Sequence, residues 1–154
     1  RSNITVHVPL RSRDTGATYN GARLRPCFMA CILVQSYSNF ELLIHDDGST
    51  DDSASIVSSF TDPRIRFYSQ ENKGLAATLN RGIALAKGAY IARQDQDDIS
   101  LPDRLSKQVA FMETHPDCGM PGTRASVLAE HMLTKRDAVY DADTLSLAMQ
   151  CPLQ

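Results

Sequence analysis

Phe40-Glu41-Leu42-Leu43-Ile44-His45 runs without a break into Asp46-Asp47-Gly48-Ser49-Thr50-Asp51-Asp52, and that into Ser53 to Phe60. The first six residues are mostly apolar and read as a strand. Asp-Gly marks a tight turn, Ser49, Thr50 or Asp51 can cap the next helix, and Ser53 to Phe60 reads as that helix. A strand that delivers an acidic turn and then a helix is one unit of an α/β sheet.

The pattern repeats on both sides of this stretch. Upstream, Ile4-Thr5-Val6-His7-Val8 alternates and is β-branched, so it reads as a strand ended by Pro9. Residues 11–18 are polar and read as a loop. A helix comes next, from about Ala22 or Arg25 to Val34, with Leu24, Cys27, Phe28, Cys31 and Ile32 at helical spacing. Pro26 is tolerable only in a first turn, which argues for the later start. Downstream, Ile65 to Tyr68 is a short strand, Asn72-Lys73-Gly74 a loop, and Leu75 to Ala86 a helix. Gly88 is expected to close that helix in a left-handed conformation. Ala89 to Gln94 is a fourth strand ending in Asp95-Gln96-Asp97-Asp98, and Pro102 opens a helix to Glu113. A further strand is expected within Cys118 to Leu128, with Pro121 marking an edge or bulge, and a last helix over Asp143 to Met149. The predicted fold class is α/β, a mainly parallel sheet flanked by helices on both faces.

The 154 residues suit one domain, and 42% hydrophobic with 22% charged residues is an ordinary globular composition. Sixteen basic against 18 acidic residues leave a charge of −2, which offers no reason to expect nucleic acid. No apolar run approaches the roughly 20 residues that cross a bilayer, and the start does not read as a signal peptide, so a cytoplasmic placement is expected. Cys27, Cys31, Cys118 and Cys151 form no disulfide framework; Cys27 and Cys31 read as buried thiols on one helix face. Asn3-Ile4-Thr5 matches a glycosylation sequon that nothing else supports.

Ligands of open α/β sheets bind outside the carboxyl ends of the strands, where Asp46-Asp47 and Asp95, Asp97 and Asp98 fall. If the second and fourth strands are close, as many as five carboxylates gather at one edge. Such a cluster calls for positive charge, and a divalent cation on a phosphate-bearing substrate would supply it. Each cluster alone is also explained as turn and cap chemistry. GxGxxG, Walker A and Gly-x-Ser-x-Gly sequences are absent. Lys73 precedes a helix N-terminus able to hold phosphate or sugar hydroxyls. Arg93 shares a strand side with Asp95 and either pairs with it or is a solvated strand end. Arg81 is equally a surface or a ligand residue. His7, His45, His115 and His131 are scattered and default to core or surface roles.

Four stretches together resemble the family 2 glycosyltransferases, inverting enzymes with a GT-A nucleotide-diphospho-sugar fold. They are Tyr19-Asn20 with Gln35-Ser36-Tyr37 and Asn39 to Leu42; Asp46 to Asp52; Glu71 to Leu75 with Leu79 to Gly82; and Asp95 to Ser100 with Pro102 to Leu105 and Gln108 to Phe111. The resemblance spans most of residues 4 to 124. It implies Tyr19 beside the nucleobase, Asp46 on the base or ribose, Asp95 towards the ribose and Asp97 on a divalent metal, Mn2+ or Mg2+, at the diphosphate. Asp95 and Asp97 stand as the two ends of the Asp-x-Asp motif. Lys73 or Arg81 would assist the leaving group. The implied donor is a nucleotide-diphospho-sugar and the acceptor an unidentified sugar, lipid or polysaccharide.

The resemblance also implies that residues 1–154 are the donor-binding portion of the domain, with the acceptor surface and catalytic base lying beyond it. Glu130, Asp137, Asp141 and Asp143 are acids outside the family's base motif. Residues 11–18 separate Pro9-Leu10 from Tyr19, a departure from the family pattern that either inserts a loop at the nucleobase pocket or shifts which residues line it. Two other classes compete: a non-catalytic nucleotide-binding remnant of such a domain, and a flavodoxin-like or response-regulator-like signalling domain. The second lacks the usual lysine and threonine strand-end partners.

Overall fold

The computed structural model describes residues 2–10, 26–96 and 98–123. Four strands, β1 (Ile4–Leu10), β2 (Phe40–Asp47), β3 (Ile65–Gln70) and β4 (Tyr90–Arg93), alternate with α1 (Pro26–Leu33), α2 (Ser53–Ser58), α3 (Leu75–Leu85) and α4 (Arg104–Thr114). The sheet is wholly parallel in the order β3-β2-β1-β4. The chain thus moves outward from β1 through β2 to β3, then returns to the other side of β1. The reversal makes the β1/β4 boundary the topological switch point, where such sheets bind ligands.

Period-two alternation divides the strands into two chemically distinct faces. Ile4, Val6 and Val8 are in register with Phe40, Leu42 and Ile44, and Leu10 with Asp46; the apolar ones pack with Phe28, Met29 and Ile32 of α1, Val57 of α2 and Leu105 and Val109 of α4. The opposite face carries α3: a Cβ on Gly82 would stand 2.0 Å from the His7 ring, so only glycine allows the helix to lie this close.

Among the described residues the four expected strands up to β4 and the helices up to α4 are present, with informative differences. Pro9 does not end β1; it lies within it, opposite His45. Gln94 N donates to His7 O on the β4 side (3.0 Å), and by parity Pro9 faces that same side, where β4 has stopped at Arg93. No ladder donor is needed there, so proline is tolerated in an inner strand. Helix α1 is described from Pro26, and both expected starts, Ala22 and Arg25, lie outside the described residues. Strand β2 extends through Asp46 and Asp47, which pair with Ser69 and Gln70 of a correspondingly longer β3. Gly88 is not left-handed: among the described residues the positive-φ glycines are Gly48 and Gly74. Gly88 is required instead by close approach, since a Cβ would meet Thr5 N at 2.3 Å and Ile4 C at 2.6 Å, while its N–H donates to Thr5 Oγ1. No strand forms over residues 118–123, which follow a turn at Pro116 and Asp117. The rest of that expected strand, the loop at 11–18 and the helix at 143–149 lie outside the described residues.

The chain divides into two compact units, Arg1–Val109 and Ala110–Gln154. The first holds the sheet and the core. In the second, the Phe111 and His115 rings stack at 3.8 Å.

Candidate functional site

At the carboxyl ends of the strands, neighbouring aspartates of β2 serve opposite faces. Asp46 is 3% exposed on the side of the apolar core; its Oδ1 accepts from Ser49 N (2.9 Å) and its Oδ2 from Ser69 Oγ (3.1 Å). The first bond closes the turn at Gly48, whose φ of 77° suits glycine, and leaves each carboxylate oxygen with acceptor capacity. Asp47 is fully buried on the α3 side. Its Oδ1 accepts from Gln70 Nε2 and Lys73 N (both 2.8 Å) and its Oδ2 from Gly74 N (3.0 Å). Burial alone would raise its pKa, but the hydrogen bonds from Lys73, Gln70, Thr78 and Gly74 outweigh it and hold the carboxyl below its ordinary value. Asp47 therefore ties the β3–α3 connection to the sheet, and the amides of Lys73 and Gly74 that open α3 are already engaged by it.

At the end of β4, Arg93 pairs with Asp95, as their shared side of the strand allows; Nη2 lies 2.9 Å from Oδ1. The pair is half exposed, so it contributes little to stability. Arg81 lies on α3 and donates to Gln70 Oε1 (2.7 Å), which places its charge above the end of β3. Among the described residues no three of His, Cys, Asp and Glu converge as a metal-holding group, so the expected gathering of up to five carboxylates is not found there. Order explains it: β1 stands between β2 and β4, and Asp47 is turned to the α3 face. Tyr19 and Asp97 lie outside the described residues, as do Glu130, Asp137, Asp141 and Asp143.

Sequence reasoning passed over several residues that shape this edge. Gln94, 3% exposed, donates from Nε2 to Asp95 O (3.1 Å) and Asp98 O (3.0 Å) and accepts Ser100 Oγ at Oε1 (2.6 Å). Gln35 bridges α1 to the next segment through Leu101 O (2.6 Å) and Leu105 N (3.1 Å). Arg104 Nη1 donates to Arg93 O (3.3 Å). Burial pushes the Arg104 guanidinium below its ordinary pKa, with Cys31 and Asp98 opposing. The signal available was that Gln35, Arg104 and Gln108 all stand beside apolar residues in the motif stretches, which marks polar groups bound for the interior.

His7 and His45 are not scattered in space. Their rings meet edge to face at 5.7 Å beneath α3, and His45 stacks on Tyr68 at 5.4 Å. His7 Nε2 and both nitrogens of His45 are buried without hydrogen-bond partners. Burial, with His45 and Arg93 adding, lowers the His7 pKa to about 4. Two neutral imidazoles thus sit in the layer between sheet and helix.

Residues 17–140 match the family described as glycosyl transferase family 2. EpsE of Bacillus subtilis (strain 168) is 44% identical over 116 residues, which cover 73% of this chain and 42% of that protein. The glycosyltransferase GlyG of Streptococcus pneumoniae serotype 4 is 52% identical over 99 residues, 62% of this chain and 30% of that protein. Among solved structures, the mannosyltransferase PcManGT of Pyrobaculum calidifontis, in complex with GDP-Man and Mn2+, superimposes with a TM-score of 0.60 at 28% identity over 73% of this chain and 32% of that one. The chain therefore spans less than half the length of each of these relatives. Among the described residues, no helix is long and apolar enough to cross a membrane.

Proposed function

Since the chain belongs to glycosyl transferase family 2 and has its GT-A-like fold, we propose that residues 1–154 are the donor-binding portion of an enzyme that moves a sugar from a nucleotide-diphospho-sugar to a sugar, lipid or polysaccharide acceptor with inversion. The observation that carries the reading is the parallel sheet whose switch point brings Asp46 and the acidic turn after β4 to one carboxyl-end edge, together with the likeness to a structure holding GDP-Man and Mn2+.

In this reading Tyr19 lies beside the nucleobase. Asp46, preset by Ser49 and Ser69, takes the base or ribose with its remaining acceptor positions. Asp95 takes the ribose side, and the Arg93 pair limits its freedom before the donor arrives. Asp97 holds Mn2+ or Mg2+ at the diphosphate. The available donors are carboxylates, the hard oxygen ligands these ions prefer. Such ions are commonly held by one or two carboxylates together with substrate phosphates. The ion supplies neutralisation of charge developing on the departing nucleoside diphosphate. Lys73 precedes α3 and Arg81 lies along it against Gln70, and in this reading their ammonium and guanidinium groups add to that stabilisation. The acceptor hydroxyl must lose its proton on the opposite face, and the carboxylate for this is expected beyond the donor-binding residues. A cytoplasmic placement accords with a soluble nucleotide donor.

Calorimetry with UDP-, GDP- and dTDP-sugars, with and without Mn2+, tests the reading. Binding that depends on Mn2+ and weakens about 100-fold in Asp97→Ala is expected, in the range for loss of a metal-site group. Absence of binding to every donor favours the non-catalytic remnant.

A further inference from the structure

Strand β4 ends at Arg93, and the backbone N–H of Gln94 makes the last bond to β1, at His7 O. From there the side chain turns inward, and its primary amide touches the acidic turn at both ends. Nε2 uses its two protons on Asp95 O (3.1 Å) and Asp98 O (3.0 Å), and Oε1 receives the Ser100 hydroxyl (2.6 Å). The turn is also closed by Asp98 N donating to Asp95 O (3.2 Å). Ser100 is itself anchored, since its N–H donates to Cys31 Sγ (3.2 Å) on α1.

We infer that Gln94 is a positioning residue: its amide clamps the backbone on both sides of Asp97 and so fixes the acidic turn before any ligand arrives. Only a primary amide meets the demand at this volume. A carboxylate would oppose two carbonyl oxygens with like charge, and an apolar side chain would remove a donor from both carbonyls and the acceptor from the buried Ser100 hydroxyl, leaving Asp98 N as the tie to Asp95 O. The consequence for metal uptake rests on the donor-binding reading above; the clamp itself does not. A group that orients a ligand residue, without touching the metal, typically carries a 10–100-fold effect on affinity.

The test compares the full chain with Gln94→Met and Gln94→Glu in two measurements. Hydrogen exchange at the Asp98 amide, without metal, should quicken about 10-fold in both variants. Mn2+ affinity in the presence of UDP or GDP, read from the electron paramagnetic resonance of free Mn2+, should weaken about 10-fold, while nucleotide binding without Mn2+ holds. Ser100→Ala removes one arm only and should give smaller changes of the same sign; it decides the matter if the Gln94 variants do not fold. Lower stability with unaltered Asp98 exchange and unaltered Mn2+ affinity overturns the inference. If Mn2+ uptake is absent from the parent chain or indifferent to Asp97→Ala, the metal reading fails, and Asp98 exchange alone decides for or against the clamp.

Discussion

On one face of the sheet Ile4, Val6, Val8 and Leu10 meet Phe40, Leu42 and Ile44, all buried and all apolar; on the other, Thr5 and His7 stand opposite Glu41 and Leu43, with His45 and Asp47 further along β2, so that polar groups predominate. Both faces are covered by helices, so burial does not distinguish them. The apolar face gains from area removed from water and depends on shape. The polar face depends on pairing. Glu41 accepts from Thr5 Oγ1 (2.6 Å), Lys87 N (2.7 Å) and Arg66 Nη1 (2.7 Å), and Asp47 accepts from three donors at the other end. Between these two satisfied carboxylates lie the two histidines, with His7 Nε2 and both nitrogens of His45 buried without partners. The polar layer is therefore strong at its ends and sensitive in its middle.

Three changes separate the faces. The largest effect belongs to the apolar one: Leu42→Ala should cost about 3–5 kcal/mol in urea unfolding, with no dependence on pH beyond that of the parent chain. The polar face should show the reverse. His7 is held near 4 in the fold against an ordinary 6.5, so the unfolded chain takes up the proton first. Its contribution is complete above pH 6.5 and is lost as the pH falls to about 4, by about 3 kcal/mol in all. Unfolding of the parent and of His7→Gln across that interval should diverge by this amount; parallel pH profiles would refute it. The smallest effect is steric. Gly82→Ala drives a Cβ into the His7 ring and should cost about 2 kcal/mol, and His7→Ala in the same chain should recover part of it.

The same contrast explains what could be read from the sequence. The apolar alternation of β1 and the run of β2 disclosed the strands, and the Asp46 to Asp52 turn disclosed where the edge lies, because hydrophobic period and turn chemistry are local. Family likeness was legible for the same reason, being carried by short stretches in order. Partnership was not. Nothing in the spacing of His7 and His45 says that their rings meet on the diagonal between β1 and β2, nor that Asp47 faces α3 while Asp46 does not. Gly88 was assigned a backbone conformation when its need was for space against Thr5, a contact 83 residues away in sequence. Gln94 was read as the last residue of a strand; its hold on Asp95, Asp98 and Ser100 depends on the path of the turn. Local rules locate the candidate site, and pairing across the fold decides which of its acids remain available.

Pro9 has a consequence for the rim of the sheet. Strands β1 and β2 continue together to Leu10 and Asp46, whereas β1 and β4 part after His7 and Arg93. Three residues at about 3.3 Å each make a rise of about 10 Å. The upper edge is thus terraced, with a wall of β1 and β2 above a floor that begins at Gln94. A residue without an amide proton keeps the terrace from being zipped shut from the β1 side.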